Sequence, residues 1–361
     1  MRSNYRKIGD FIRLVDLRNE GLRIEKLVGL TINKQFIPSV ANIVGSDMEN
    51  YKIISKNQFA CSLMQVRRDK KIPVALLREF DEAIISQAYP VFEIVNDNEL
   101  SPEYLMMWFC RSEFDRESCF YAVGGVRGSL EWEDFGNMKL PVPTIEKQRE
   151  IVAEYQAVQK RIQINEQLIQ KLEETAQAVY RRWFVEGIDM ENLPEGWRAG
   201  KLNELIEIKY GKAYSHLEEG NIPLYGSGGL MGKVNKALFT KPSVLIPRKG
   251  TLSNIMFVNQ PFWCVDTMFY SIFNKELNGY YAYYILKQLD FDALNQGSAV
   301  PSMTTAFLND IDVILPSENI LKDFNDKLTI IIAHKENLEK ENQMLTELKE
   351  LLLSKLATLE N

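Results

Sequence analysis

Two stretches of this chain place apolar residues at alternating spacings of four and three. The first runs Ile151, Tyr155, Val158, Ile162, Asn165, Ile169, Leu172, Ala176, Val179, Trp183. In the second, Phe324, Ile331, Leu338, Leu345, Leu352 and Leu359 recur every seven residues, and Leu328, Lys335, Asn342, Lys349 and Leu356 fill the other seam position. This is the heptad pattern of helices that bury a narrow stripe against each other. Thr144 and Ser317 precede the two stretches and are suited to cap a helix N-terminus. Segments of about 33 residues rise roughly 50 Å as helix, too long for an ordinary surface helix on a globule. The pattern predicts two long helices paired as a coiled coil.

Before each of them the pattern changes to short apolar runs separated by turns. Val91–Val95 reads as a strand and Pro102–Phe109 as a helix, with Phe269–Phe273 and Gly279–Leu286 as their counterparts later in the chain. The counterparts belong to a repeat. Leu140-Pro141-Val142-Pro143-Thr144 before the first long helix matches Ile314-Leu315-Pro316-Ser317 before the second, at an offset of 173 residues from Pro143 to Pro316. The same offset carries Gly124 onto Gly297, Ser129 onto Ser302 and Phe135 onto Leu308. The entry segments also match, Ile8, Asp10, Phe11 and Ile12 on Leu202, Glu204, Leu205 and Ile206, but at an offset of 194, so the second globule is about 21 residues shorter. The organisation is globule, helix, globule, helix, divided at residues 1–143, 144–186, 187–316 and 317–361. Loss inside a globule with intact flanks points to loops retuned for a different target.

Composition adds charge and compartment. The N-terminal Met1–Lys7 lacks the apolar core of a signal peptide, and no apolar run reaches the roughly 18 residues of a membrane span. Cys61, Cys110, Cys119 and Cys264 are scattered, as expected of packed thiols in a reducing cytoplasm. The net charge of −6 disfavours nucleic acid until its distribution is considered. Between Lys52 and Arg78, seven Lys and Arg face only Asp69; between Lys209 and Met256, seven face only Glu218 and Glu219. The two stripes occupy the same part of each globule, and a local positive field can hold phosphates on an acidic protein. Arg67, Arg68, Lys70, Lys71 and Arg78 in the first globule, and Lys212, Lys233, Lys236, Arg248 and Lys249 in the second, are the candidate DNA face.

Catalytic chemistry is not legible. Gly226–Lys233 resembles a phosphate loop but has Ser227 where a glycine is needed and Val234 where Ser or Thr should bind Mg²⁺, so it reads as a flexible loop. The only histidines, His216 and His334, are far apart in sequence and have no metal-ligand spacing. There is no Asn/Asp-Pro-Pro-Tyr/Phe element, which adenine amino-methyltransferases use.

With its two globule–helix repeats, the entry Leu140-Pro141-Val142-Pro143-Thr144-Ile145-Glu146-Lys147-Gln148-Arg149-Glu150-Ile151 and the segment Val244–Gly250, the chain resembles the specificity (S) subunit of type I restriction–modification systems over nearly its whole length. The family's helix entry usually carries a Glu-Gln pair; Lys147-Gln148 stands in the first copy, and Leu321-Lys322 lacks it in the second. The resemblance implies an α/β fold. Two α/β target-recognition domains alternate with two long helices packed as an antiparallel coiled coil, and each domain reads one half of a bipartite, asymmetric double-stranded DNA site. It implies that the helices act as spacer and dock two methyltransferase (M) subunits, that restriction (R) subunits join, and that this chain catalyses nothing. No cofactor is then expected on this chain; S-adenosylmethionine, ATP and Mg belong to the partners. A standalone DNA-modifying enzyme and a protein-only coiled-coil scaffold are the alternatives. An antiparallel pairing that respects the repeat matches residues whose numbers sum to 507. It sets Asn165 opposite Asn342, the one seam Asn on each helix, and Trp183 opposite Phe324.

Overall fold

The computed structural model describes residues 5–39, 47–125, 128–189, 191–289 and 303–358. Gly297, Ser302 and Leu359 lie outside them. The chain forms two compact units: Met1–Asn165 with Lys340–Asn361, and Glu166–Glu339. Each therefore combines one globule with part of both long helices, which span Ile145–Phe184 and Glu318–Lys355.

The heptad seam is the face these helices bury. Every described seam position is buried or half-buried, Lys335 and Lys349 included. In the first unit Val152 and Tyr155 share a core with Leu353 and Leu356. In the second, Ala176, Tyr180 and Phe184 share one with Phe324 and Leu328. Within each unit a rising residue number on one helix meets a falling number on the other, so the segments run antiparallel. Trp183 and Phe324 lie with ring centroids 6.1 Å apart. Lys335 donates to Glu173 at 2.5 Å; burial alone would lower its pKa, but Glu173 and Glu339 together raise it.

The globules share one plan. In the first unit Ile12–Val15, Val91–Ile94, Phe59–Cys61 and Val74–Leu76 form an antiparallel sheet in that spatial order. In the second unit Ile206–Tyr210, Met268–Phe273, Ser243–Pro247 and Met256–Val258 do the same. A short entry strand closes each globule against the strand before the long helix: Tyr5–Lys7 on Lys139–Pro141, and Arg198–Lys201 on Asp312–Leu315. One helix packs on each sheet, Pro102–Phe109 or Asn278–Gln288. The first is set by Ser101, whose Oγ accepts from the Tyr104 amide at 3.4 Å, and by Pro102 at the first helical position.

Matched hydrogen bonds make the repeat physical. Ile8 N donates to Met138 O at 2.9 Å, and Leu202 N to Ile311 O at 3.0 Å. The buried Tyr104 hydroxyl donates to Pro141 O at 3.0 Å, and that of Tyr281 to Ile314 O at 2.7 Å. Both tyrosines satisfy a carbonyl in the strand that feeds a long helix, which fixes where the helix leaves its globule. Phe135 and Leu308, paired by sequence offset, are both fully buried. One expectation fails: Gly226–Lys233 is not a flexible loop but the turn of a hairpin, Glu219–Gly226 against Gly229–Val234. Gly229 supplies the turn with φ +112°, which favours glycine.

Candidate nucleic-acid interface

In the first unit the cations Arg67 and Arg68 sit on a four-residue helical turn, Val66–Asp69, in the connection between the third and fourth strands of the sheet. Both flanking residues are left-handed, Gln65 at φ 62° and Lys70 at φ 52°. Such conformations cost non-glycine residues about 1–2 kcal/mol each and persist only where the surroundings enforce them. Here the enforcement is visible. Val66 is buried, the Leu130 amide donates to Leu63 O at 2.9 Å, and the Ile72 amide donates to Asp115 Oδ1 at 3.1 Å. Asp115 also accepts from Lys34 at 2.7 Å, in a pair almost closed to solvent; burial holds the Lys34 ammonium below its usual pKa, partly offset by Asp115. The clamped turn presents Arg67, Arg68 and Lys70 to solvent. Arg67 reaches Gly124 O at 3.5 Å, and Arg68 is engaged by Asp69 at 2.7 Å.

The second unit carries its cations on the same connection. Arg248 and Lys249 follow the third sheet strand, Ser243–Pro247. The Met303 amide donates to Arg248 O at 2.9 Å, the counterpart of Leu130 on Leu63. The Arg248 amide donates to Thr267 O at 2.9 Å, its guanidinium to Asp266 O at 3.3 Å, and that guanidinium lies 5.4 Å from the Tyr210 ring centroid. Lys212 joins the group because its amide donates to Cys264 O at 3.0 Å, on the same segment. The hairpin tip packs alongside: a Cβ on Gly250 would lie 2.6 Å from Ser227 Oγ, and Gly250 has φ +83°. Asn254 Nδ2 donates to Ser227 O at 2.9 Å and ties the tip to the basic turn.

The remaining candidates are placed differently. Lys71 and Arg78 line a groove of about 630 Å³ whose other wall is Val152, Tyr155 and Gln156 of the first long helix. Arg78 is paired there with Glu103 and Asn57, so the structure does not bring it to the Arg67 turn. Lys233 lies on the hairpin opposite Pro223, and Lys236 beyond its open end, beside Asn235, whose amide bonds Glu218 O at 2.9 Å. Asn165 and Asn342 are brought together, with Asn165 Nδ2 donating to Asn342 Oδ1 at 2.9 Å. Among the described residues no group of three or more His, Cys, Asp or Glu could hold a metal ion.

A family model for the type I restriction modification DNA specificity domain matches residues 32–174 and 194–349, one match for each repeat. The chain belongs to this family. As a type I specificity protein it supplies DNA sequence specificity to a restriction–modification system, not the system's catalysis. The type I restriction enzyme HindI specificity subunit of Haemophilus influenzae is 21% identical over 427 residues, covering 91% of this chain and 92% of that one. The fold is shared with the type I restriction–modification S subunit from M. genitalium, at TM-score 0.62 and 17% identity, covering 99% of this chain and 96% of that one. It is shared also with a chain solved to describe complex assembly and conformational transition of the type I system, at TM-score 0.52 and 17% identity, covering 98% and 96%.

Two features of this type I specificity protein escaped the sequence. Gln148 is fully buried; it accepts from Ser101 N at 2.8 Å and donates to Glu99 O at 2.9 Å and Pro143 O at 2.8 Å. It therefore stitches the first helix entry to its globule. In the second unit Leu321 fills the matched position, and Asn325 donates instead to Leu277 O at 2.7 Å. The second feature is the set of exposed apolar side chains beside the cations, Phe120 and Tyr121 in one unit and Tyr210, Leu230 and Met231 in the other. The signal was available: aromatic residues interleaved with basic ones near glycine-rich turns.

Proposed function

We propose that each unit lays its basic turn along one half of a bipartite, asymmetric double-stranded DNA site. One observation carries this reading: the same connection of the same sheet bears paired cations in both units, although the surrounding loops differ. Residues 1–143 and 187–316 then act as the two target-recognition domains, and the segments 144–186 and 317–361 as spacer. Arg67, Arg68, Lys70, Arg248, Lys249 and Lys212 are the primary contacts, with Lys233 entering from the hairpin. Lys71, Arg78 and Lys236 are secondary. Most of these cations position the backbone, and one or two arginines read guanine edges.

The long helices also dock two M subunits. Their exposed faces support this: Met344, Leu348 and Leu351 form an apolar stripe off the seam of the second helix. The M subunits bring S-adenosylmethionine, and R subunits bring ATP and Mg; the assembly works on cytoplasmic DNA. The test is a salt titration of DNA binding. Arg67→Ala/Arg68→Ala and Arg248→Ala/Lys249→Ala should each flatten the slope of log K against log salt by about one for every phosphate contact removed. Unchanged slopes and affinities in both variants would remove these turns from the DNA face.

A further inference from the structure

The last turn of the helix Ser112–Tyr121 holds two exposed aromatic residues, Phe120 and Tyr121. Phe120 is 78% exposed, although burying a Phe side chain ordinarily stabilises a fold. Among the described residues the aromatic ring it meets is that of Tyr121, edge-on at 5.3 Å. Two links place this helix end beside the basic turn. Cys119 Sγ lies 3.4 Å from Val66 O, and its thiol feels the charges of Arg67 and Lys70. Just past the helix, Arg67 contacts Gly124 O, and Val123, itself exposed, bridges Ser129. A large apolar ring is thus displayed in water next to the exposed cations Arg67 and Lys70. A protein partner with a complementary apolar surface would have to meet those cations as well. A polyanion with apolar faces between its charges meets both.

We propose that Phe120 is a wedge that inserts against a base step of the DNA while Arg67 and Lys70 hold the flanking phosphates, with Tyr121 bracing the ring. This rests on the reading that the basic turn faces DNA. The chemistry suits an uncharged ring: base faces are apolar, and a side chain pushed between steps unstacks and bends the duplex. Such a contact reads deformability, which gives specificity without a hydrogen bond to a base edge. It would be confined to the first unit's half-site, because the second unit builds its apolar surface from the Gly226–Gly229 turn and the neighbouring Leu230 and Met231.

The experiment uses the full chain with its methyltransferase partner. Methylated adenines are first mapped to obtain the site. A duplex of that sequence then carries 2-aminopurine at successive steps of the first half-site, with donor and acceptor dyes at its ends. Wild type should raise 2-aminopurine fluorescence at one step and shorten the end-to-end distance. Phe120→Ala should abolish both signals and weaken specific binding about tenfold or more, while leaving the salt slope and the melting temperature unchanged. Phe120→Trp should restore them. The Arg67→Ala/Arg68→Ala variant separates the two claims. If it flattens the salt slope but Phe120→Ala changes nothing, the wedge is refuted and the DNA face stands. If it leaves slope and affinity unchanged, the DNA face itself falls. Loss of M-subunit binding by Phe120→Ala in the absence of DNA would assign the ring to the protein partner and overturn the proposal.

Discussion

Replacing Asn165 and Asn342 one at a time by Leu should give unequal results, because the two amides are unequally buried. Asn165 is fully buried and its Oδ1 has no hydrogen-bond partner among the described residues, whereas Asn342 is half-buried. Asn342→Leu removes the acceptor at 2.9 Å and orphans the buried Asn165 amide. A buried unsatisfied polar group costs about 1–3 kcal/mol. The lower end applies here, because the Glu341 carboxylate, held below its usual range first by Arg161 and then by Asn165, can still accept from that amide. Asn165→Leu instead deletes the unsatisfied oxygen and leaves Asn342 able to reach water, so it should be neutral or stabilising. The double Leu variant should match or exceed wild-type stability, since losing both partners together leaves nothing unpaired. For a unit of this size 1 kcal/mol corresponds to roughly 2–4 °C in Tm, so calorimetry resolves the difference. Register is read separately by crosslinking. In a background without Cys61, Cys110, Cys119 and Cys264, cysteines at positions 165 and 342 should form a disulfide readily, and cysteines at 165 and 349 should not. Greater loss in Asn165→Leu than in Asn342→Leu, or preferential 165–349 crosslinking, would refute the reasoning.

Gln148→Leu, which copies the second repeat's Leu321, should cost about 2–4 kcal/mol in denaturant unfolding, because it strands the Ser101 amide and two carbonyls at the first helix entry; an effect under about 0.5 kcal/mol would show that water replaces the glutamine. Gly250→Ala should weaken DNA binding severalfold, since its Cβ would lie 2.6 Å from Ser227 Oγ at a backbone with φ +83°, displacing the hairpin tip; footprinting should show the loss confined to one half-site. Removing one heptad from each long helix, about 10 Å of rise, should change the preferred spacer between half-sites or abolish binding. A selection from randomised spacers that returns the wild-type length would contradict that.

The helices were the most legible part of the chain, because a seam spaced by fours and threes over more than four heptads has no other economical structure. The repeat was legible where buried residues and caps constrain it, as at Phe135 and Leu308 or at the prolines before the helices. What sequence could not give was separation in space. Lys71 and Arg78 are near neighbours of Arg67 in the chain, but both line the groove beside the first long helix, Arg78 after the strand Val74–Leu76 has carried the chain away from the turn. In sequence the hairpin at Gly226–Gly229 reads as a loop because its glycines mask the alternation that marks strands; its register comes from pairing, Pro223 opposite Lys233 and Leu224 opposite Gly232. The exposure of Phe120 is illegible in sequence for a similar reason. In a helix as short as Ser112–Tyr121, periodicity does not say which side will be covered.

If each unit reads its own half-site, exchanging one globule should change one half-site alone. Residues 1–143 are replaced by the first globule of another family member of known specificity, the hybrid is expressed with its M partner, and methylated adenines are mapped across the host genome. The expected site has one half changed to the donor's sequence while the other half and the spacer are retained. A site changed in both halves, or in neither, would contradict it.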